Sequence, residues 1–162
     1  MTTSRPDLRF LVAHPAHLLA FGFGSGLAPR APGTVGSLLG LPLFWLIAAA
    51  APDLGNRVVL VVAAFLLGIW ACARTGRALG VADHGGIVWD EIVAFALVLL
   101  FTPPGWGWLA LAFALFRLFD ILKPWPIAYF DRRLKNGFGV MFDDLLAAAY
   151  AVAVLKGIQW LV

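Results

Sequence analysis

The sequence of 162 residues is 62% hydrophobic, has a mean hydropathy of +0.89 and contains only 13% charged residues. This composition excludes an ordinary soluble domain, which is about 45–50% apolar. The net charge of +3 comes without a basic, aromatic-rich patch that would indicate nucleic-acid binding, and the single cysteine, Cys72, excludes an intrachain disulfide. The sequence therefore predicts one membrane-embedded domain over residues 1–162.

Apolar segments punctuated by glycine and proline predict an all-α, polytopic membrane bundle. Leu8–Phe23 comes first, and its apolar run, interrupted by His14 and Pro15, predicts a short helix at the membrane interface. Several later segments are shorter than the roughly 20 residues of an upright span, so flanking residues at headgroup depth or a thinned bilayer must accommodate them. The five predicted spans are Leu38–Ala51, Val58–Ala73, Ile92–Thr102, Trp106–Phe119 and Leu145–Val162.

The third and fourth spans could instead form one long helix, because Ile92 to Phe116 carries no charge. Pro103-Pro104-Gly105 lies in the middle of that stretch. A helix break at mid-bilayer would leave backbone groups without hydrogen-bond partners. Next to Trp106 and Trp108, however, the same break is typical of a turn at the membrane interface. We therefore predict a helical hairpin.

Five alternating spans place the polar loops and helix ends on one membrane face. The opposite face has Arg57 as its cation, and Lys156 lies within the last span. An excess of Lys and Arg marks cytoplasmic loops, which predicts that the polar face is cytoplasmic. Ten cations lie on that face: Arg5, Arg9, Arg30, Arg74, Arg77, Arg117, Lys123, Arg132, Arg133 and Lys135.

Most of the acids lie on the same face, at predicted helix ends. The pairs Asp90-Glu91 and Asp143-Asp144 are each predicted to open a helix, where free N–H groups favour negative charge, so capping is the alternative to a functional role. Neighbouring carboxylates repel each other, so a cluster implies a counter-charge, and Mg²⁺ takes carboxylate oxygens together with water and phosphate. With Asp120, these four residues form the predicted set of Mg²⁺ ligands.

A glycine-rich loop and two cations complete the predicted site. Phe21–Ser37 exposes backbone N–H groups, and Thr34 to Ser37 leads into the first span, which suits an anion site and equally a plain membrane-entry loop. Arg117 and Lys123 flank Asp120, as expected of groups that hold a phosphate against a metal. Salt bridging at headgroup depth is the alternative.

Beyond this site, Ile127–Lys135 is predicted to be an amphipathic surface segment. Its cations Arg132, Arg133 and Lys135 would attract anionic lipid.

Four motifs in this order resemble the phosphatidylglycerophosphatase A family: Leu27–Ser37, Asp83–Ile92, Phe116–Pro126 and Gly139–Leu145. The resemblance extends from Phe21 to about Ala153. It implies an all-helical enzyme of the bacterial inner membrane, dependent on Mg²⁺, with its active site on the cytoplasmic side. That enzyme would hydrolyse the terminal phosphate monoester of phosphatidylglycerophosphate, giving phosphatidylglycerol and inorganic phosphate.

The resemblance places most of the predicted site residues in motif positions, and their roles are predicted from the charge pattern and the motifs together. The predicted catalytic residues are Asp90, Glu91, Asp120, Lys123, Asp143 and Asp144, and all but Lys123 are also predicted metal ligands. The predicted substrate-binding residues are Thr34, Ser37, Asp83, Arg117 and Lys123. The alternatives are an ion-coupled transporter, whose acids would mark an ion pathway, and a non-catalytic protein that binds anionic lipid. A homo-oligomer is compatible with the sequence.

Overall fold

The computed structural model describes residues 6–161 of the chain. The predicted cytoplasmic cation Arg5 and the last residue of the fifth predicted span, Val162, lie outside this part. Every regular element from residue 6 to residue 161 is a helix, which confirms the all-helical fold class. These helices are α1 (Leu8–Val12), α2 (Pro15–Ala20), a 3₁₀ segment (Gly22–Leu27), α3 (Pro32–Leu38), α4 (Gly40–Ala50), α5 (Leu54–Leu79), α6 (Trp89–Leu100), α7 (Trp106–Leu122), α8 (Ile127–Arg133) and α9 (Gly137–Leu161).

The prediction of one interfacial helix over Leu8–Phe23 is wrong, because two helices and a 3₁₀ segment occupy this part of the chain. His14 separates α1 from α2, and its Nδ1 accepts a hydrogen bond of 3.0 Å from the N–H of Ala16. Pro15 lacks an N–H group, so it begins a helix readily but cannot continue one. The chain therefore turns at His14.

Between residues 6 and 161, three stretches are long and apolar enough to cross a membrane: Pro32–Ala50, Leu54–Leu79 and Gly137–Leu161. The first joins α3 to α4. The predicted break between the third and fourth spans is confirmed, since α6 ends at Leu100 and α7 begins at Trp106. With 12 and 17 residues, α6 and α7 are about 18 and 26 Å long, short of a hydrocarbon core of about 30 Å.

Helix α9 is the centre of the bundle and packs against α5, α6, α7 and α8. Small residues allow the helices to approach closely: Ala147, Ala148 and Ala151 are fully buried. A Cβ atom at Gly137 would lie 2.6 Å from the Cβ atom of Ala73 on α5, so only glycine fits this crossing. This packing brings the start of α6, the end of α7 and the first turns of α9 to one end of the bundle.

Candidate active site

Helices α6 and α7 present three of the predicted acids at this end of the bundle. Asp90 and Glu91 lie in the first turn of α6, as predicted, and Asp120 lies in the last turn of α7. At the first turn of α6, the N–H of Glu91 donates a 3.0 Å hydrogen bond to Oδ1 of Asp90. Helix-end chemistry therefore accounts for part of the placement of Asp90.

The acid pair on α9 has a different position from the one predicted. The prediction that Asp143 and Asp144 open a helix is wrong, because α9 begins at Gly137 and the pair lies about two turns inside it. Both side chains are buried, with Asp143 4% exposed and Asp144 3% exposed. The free N–H groups of a helix end lie in its first turn, so capping does not explain two buried acids at this place.

Three of the acids converge into one group, called here the acid cluster: Glu91, Asp120 and Asp144. Each offers a carboxylate oxygen, and these three oxygens lie within 4.8 Å of one another. At an effective dielectric constant of about 20, each pair of like charges at this distance repels by about 3.5 kcal/mol. Such a cluster requires cations close to it.

Arg117 is the cation that the chain itself supplies to the acid cluster. Its Nη1 lies 2.6 Å from Oδ2 of Asp120, three residues later on α7, and 3.0 Å from Oε1 of Glu91. The same nitrogen donates a 3.2 Å hydrogen bond to Oγ of Ser37, which in turn donates to the carbonyl of Gly33 at 2.8 Å. One guanidinium beside three carboxylates leaves an excess of negative charge.

Several polar atoms around the cluster have no protein partner among the described residues. They are Oε2 of Glu91, Oδ2 of Asp144, Oδ1 of Asp143 and Nε of Arg117, and all four are buried. Here unpaired carboxylate oxygens lie close together, and their negative charge exceeds the positive charge nearby. This is the donor set that a hard divalent cation such as Mg²⁺ prefers. The Nε–H of Arg117 remains as a donor for a phosphate oxygen. The residues present thus fit a metal ion and a phosphate side by side.

Gly33 places the glycine-rich loop directly against the acid cluster. A Cβ atom built at this position would lie 2.8 Å from Cδ and 2.9 Å from Oε2 of Glu91, closer than such atoms pack. A side chain larger than hydrogen would therefore displace the Glu91 carboxylate. The sequence showed a glycine-rich loop but could not show which of its glycines contacts an acid.

A second charged group lies next to the acid cluster and is centred on Lys123. Its Nζ lies 3.0 Å from Oδ1 of Asp131 and also pairs with Oδ2 of Asp143. Burial opposes the charged form of the amine, but the two hydrogen-bonded acids outweigh that effect and raise the pKa of Lys123. Burial would raise the pKa of Asp131, yet Lys123 lowers it below its ordinary value. Asp131 was not among the predicted site residues, because nothing local marks its pairing with Lys123.

Asp90 faces a different environment from the other acids. It lies in the wall of a cavity of about 340 Å³ between α5, α6 and α9, whose other lining residues are all apolar. We call this cavity the apolar groove. Its lining residues are Val58, Val61, Val62, Phe65, Leu66, Asp90, Val93, Ala94, Leu97, Met141 and Leu145.

The remaining predicted site residues differ in burial and in their contact with the site. Ser37 is buried and contacts Arg117 directly, whereas Thr34 is half-buried on α3. Asp83 is exposed in the loop between α5 and α6. The structure thus brings together Glu91, Asp120 and Asp144, and it places Asp90 and Asp143 beside them with other partners.

Comparison with known proteins identifies relatives of the chain. The family model described as phosphatidylglycerophosphatase A matches residues 18–159. Phosphatidylglycerophosphatase A of Haemophilus influenzae is 51% identical, covering 99% of this chain and 98% of the relative. Phosphatidylglycerophosphatase A of Escherichia coli is 41% identical, covering 91% and 85% respectively. A Bacteroides thetaiotaomicron protein provisionally named a phosphatidylinositol-3-phosphatase is 38% identical, covering 90% and 94%. No solved structure matches the chain significantly.

The fold, the acid-rich site and these relatives define a membrane-embedded phosphatase, a phosphoric monoester hydrolase. The chain belongs to the phosphatidylglycerophosphatase A family. This assignment confirms the resemblance found in the four sequence motifs. It favours the enzyme over both the transporter and the non-catalytic lipid-binding protein.

The acid cluster predicts a separation between activity and stability. We expect Glu91→Gln, Asp120→Asn and Asp144→Asn each to lower turnover of a lipid phosphate monoester by about a hundredfold or more, the scale of losing one preorganised electrostatic contact. Because each change removes like-charge repulsion, the unfolding temperature measured in detergent with a chelator should stay equal or rise. Phosphate release and thermal unfolding of the purified variants measure the two effects.

Asp53→Asn is the matched control for this series. Asp53 caps α5 at the other end of the bundle by accepting a hydrogen bond from the N–H of Asn56, a role that asparagine can also fill. Its turnover should stay within about twofold of the unaltered enzyme, well inside the hundredfold scale of a lost catalytic contact. Mild effects in all three cluster variants would contradict the catalytic role of the cluster.

Proposed function

We propose that the chain is a Mg²⁺-dependent phosphatidylglycerophosphatase. It would hydrolyse the terminal phosphate monoester of phosphatidylglycerophosphate to give phosphatidylglycerol and inorganic phosphate. The names of the Haemophilus influenzae and Escherichia coli relatives support this substrate. The observation that carries the proposal is the convergence of Glu91, Asp120 and Asp144 with Arg117 at one end of a membrane bundle.

In this proposal the acid cluster holds the metal ion. Glu91, Asp120 and Asp144 would supply carboxylate oxygens, and Oε2 of Glu91 and Oδ2 of Asp144 have no protein partner among the described residues. When bound, Mg²⁺ neutralises charge on the phosphoryl group and orients it for attack by water. Asp90 and Asp143, also predicted as ligands, lie outside the cluster and would support it from their neighbouring positions on α6 and α9.

The cations of the site have separate tasks in this proposal. Arg117 holds Glu91 and Asp120 in place through Nη1, and its unpaired Nε–H would donate to a phosphoryl oxygen. Lys123 is engaged by Asp131 and Asp143, so in this arrangement it orients Asp143 and contributes positive charge near the phosphate. Ser37 fixes the guanidinium of Arg117, and the exposed Asp83 lies in the loop that leads to α6.

The apolar groove supports a lipid as the substrate. Its wall is hydrocarbon apart from Asp90, and it runs between α5, α6 and α9 toward the end of the bundle that carries the acids. An acyl chain in such a groove gains about 0.8 kcal/mol for each buried methylene. The groove would hold the lipid so that its headgroup reaches the acid cluster.

The distribution of cations supports the bacterial inner membrane as the location, with the active site on its cytoplasmic side. Apart from Arg57 and Lys156, the Lys and Arg residues between positions 6 and 161 belong to loops or helix ends on the predicted cytoplasmic face. Membrane proteins keep an excess of Lys and Arg on the cytoplasmic side. A lipid phosphate at that surface would be within reach of the acid cluster.

Metal dependence and substrate can be tested together on the purified enzyme in detergent. We expect phosphate release from phosphatidylglycerophosphate, its loss in a chelator and its recovery on addition of Mg²⁺. Because bound metal stabilises the folded state, Mg²⁺ should also raise the unfolding temperature. It should not do so in the double variant Glu91→Gln with Asp144→Asn. Full activity in chelator would contradict the metal proposal, whereas activity on phosphatidylinositol 3-phosphate alone would contradict the substrate.

The apolar groove predicts a change in acyl-chain preference. Val62→Trp should obstruct the groove, because Val62 lines it and is 48% exposed, so the core is left intact. Displacing two methylenes costs about 1.6 kcal/mol, so the ratio of kcat/KM for dipalmitoyl over dioctanoyl substrate should fall about tenfold or more. Val59→Trp is the control, since Val59 is 63% exposed on the same helix and does not line the groove. Equal effects of the two substitutions would contradict the role of the groove.

Membrane orientation can be tested by labelling single cysteines in a Cys72→Ser background. Lys135→Cys lies on the predicted cytoplasmic face and Asn56→Cys on the opposite face, and both native residues are exposed. An impermeant thiol reagent added to intact cells should label position 56 and should label position 135 only after permeabilisation. The reverse pattern would place the acid cluster on the outer side.

A further inference from the structure

A second polar pocket lies between α2 and α5, outside the acid cluster. It has a volume of about 420 Å³ and is lined by Ala13, His14, His17, Arg74, Arg77 and Ala78. No acid lines it. Four of its six lining residues are histidine or arginine, so its chemistry is that of an anion site. We call it the basic pocket.

The two arginines of the basic pocket have no acidic partner among residues 6–161. Neither Arg74 nor Arg77 forms an ion pair in the part of the chain that the structure describes, whereas Arg117 and Lys123 are each paired with two acids. Arg74 and Arg77 are three residues apart on α5, so their side chains lie on the same face of the helix. Both are exposed and can turn their guanidinium groups toward a ligand.

The histidines line the same pocket, and one of them supplies a donor. His14 accepts the N–H of Ala16 at Nδ1, so the proton of its neutral ring is on Nε2, which is free to donate. His17 is 7% exposed, and its Nδ1 lies 3.1 Å from the carbonyl of Phe10, which can only accept, so Nδ1 is the donor. Nε2 of His17, buried without a partner among the described residues, is then an acceptor in the neutral ring. The donor for an anion is therefore His14, and His17 forms the buried wall of the pocket.

The basic pocket is separate from the acid cluster because the two lie on opposite sides of α5. Sγ of Cys72 lies 3.9 Å from Sδ of Met141 on α9, so Cys72 faces the centre of the bundle. Arg74 follows two residues later, about 200° around the helix axis. An anion in the basic pocket therefore belongs to a different molecule from the lipid at the acid cluster.

Apolar surface beside the pocket points to a lipid as the source of this anion. Trp70 is 45% exposed and its ring lies 5.9 Å from that of His14, which is the placement of an interfacial aromatic residue. On α1, Leu8 is 69% exposed and Val12 is 75% exposed. A soluble phosphate would need none of this apolar surface, whereas the acyl chains of a phospholipid would cover it.

The depth of the pocket fits a phospholipid headgroup. Helix α5 has 26 residues and is about 39 Å long, which exceeds a hydrocarbon core of about 30 Å. Its last turns, which carry Arg74 and Arg77, therefore reach headgroup level. Basic pockets between helices at that level bind anionic lipid headgroups.

We propose that the basic pocket binds the phosphodiester of an anionic phospholipid that is not the substrate. Arg74, Arg77 and Nε2 of His14 donate to the phosphate oxygens, and the acyl chains lie along Trp70 and α1. Bound in this way, the lipid joins α1 and α2 to the end of α5.

Native mass spectrometry of the detergent-solubilised full chain tests this site with dioleoylphosphatidylserine, which carries a phosphodiester and no monoester. Dioleoylphosphatidylcholine is the zwitterionic comparison. We expect one tightly retained phosphatidylserine molecule for each chain, held about tenfold or more tightly than phosphatidylcholine. Arg74→Gln with Arg77→Gln should lose that preference, since each cation at the membrane surface contributes to anionic lipid binding. No preference in the unaltered chain would overturn the proposal.

A matched double variant separates a pocket from general surface charge. Arg132→Gln with Arg133→Gln removes the same charge from α8, where Arg133 lies 5.0 Å over the ring of Tyr129 and neither residue lines the basic pocket. Its affinity for phosphatidylserine should stay within about twofold of the unaltered chain, because its two cations do not contact the bound headgroup. Equal losses in the two double variants would overturn the proposal in favour of diffuse surface charge.

Two further measurements test whether the ligand is a lipid and whether its binding is independent of catalysis. Inorganic phosphate at about 10 mM, far above the concentration of the lipid, should leave phosphatidylserine bound, because a soluble anion lacks the apolar contacts. Displacement of the lipid by phosphate would overturn the assignment to a lipid. Turnover of substrate in neutral micelles should be unchanged in Arg74→Gln with Arg77→Gln, and a loss like that of the acid-cluster variants would assign the pocket to the active site instead.

Discussion

The structure must balance the repulsion between carboxylates that are buried at one end of a membrane bundle. Glu91, Asp120 and Asp144 place oxygens within 4.8 Å of one another, in surroundings that stabilise charge less well than water. Such an arrangement persists only where opposite charge is held close to it. Arg117 provides part of that charge, and the unpaired oxygens of Glu91 and Asp144 provide a place for the rest.

The bundle is built so that this charged group lies at one end of its helices. Helices α6, α7 and α9 bring their acids to the same end, and close packing of small residues on α9 holds these helices together. Gly33 brings the glycine-rich loop against Glu91 without a side chain between them. The acid cluster, the glycine-rich loop and the apolar groove thus lie in one region of the bundle. A phosphatase that acts on a membrane lipid requires this arrangement.

The cations on the two sides of α5 differ in whether they are paired with acids. Toward the centre of the bundle, the cations Arg117 and Lys123 are paired with acids and serve the site. On the outer side, Arg74 and Arg77 make no ion pair with any residue from 6 to 161. Paired cations fix protein groups in place, whereas unpaired cations at headgroup depth remain available to the surrounding lipid.

The sequence by itself determined the helical membrane class and the break at Pro103-Pro104-Gly105. It also predicted the collection of acids and cations on one membrane face, which stays a prediction. These properties are local, because hydropathy, proline chemistry and the identity of loop residues act within a few positions of the chain. The four motifs also sufficed to indicate the family. The helical part of the fold was thus largely predictable, apart from the turn at His14 and the early start of α9 at Gly137.

Only the tertiary structure decided which acids meet. Five acids were predicted as one set, but the rotation of each helix about its axis selects Glu91, Asp120 and Asp144 and directs Asp90 to the apolar groove. Likewise, Lys123 finds Asp131 through the fold of the chain after α7. These choices depend on close helix crossings between residues far apart in sequence, such as Gly137 against Ala73, and no local pattern encodes them.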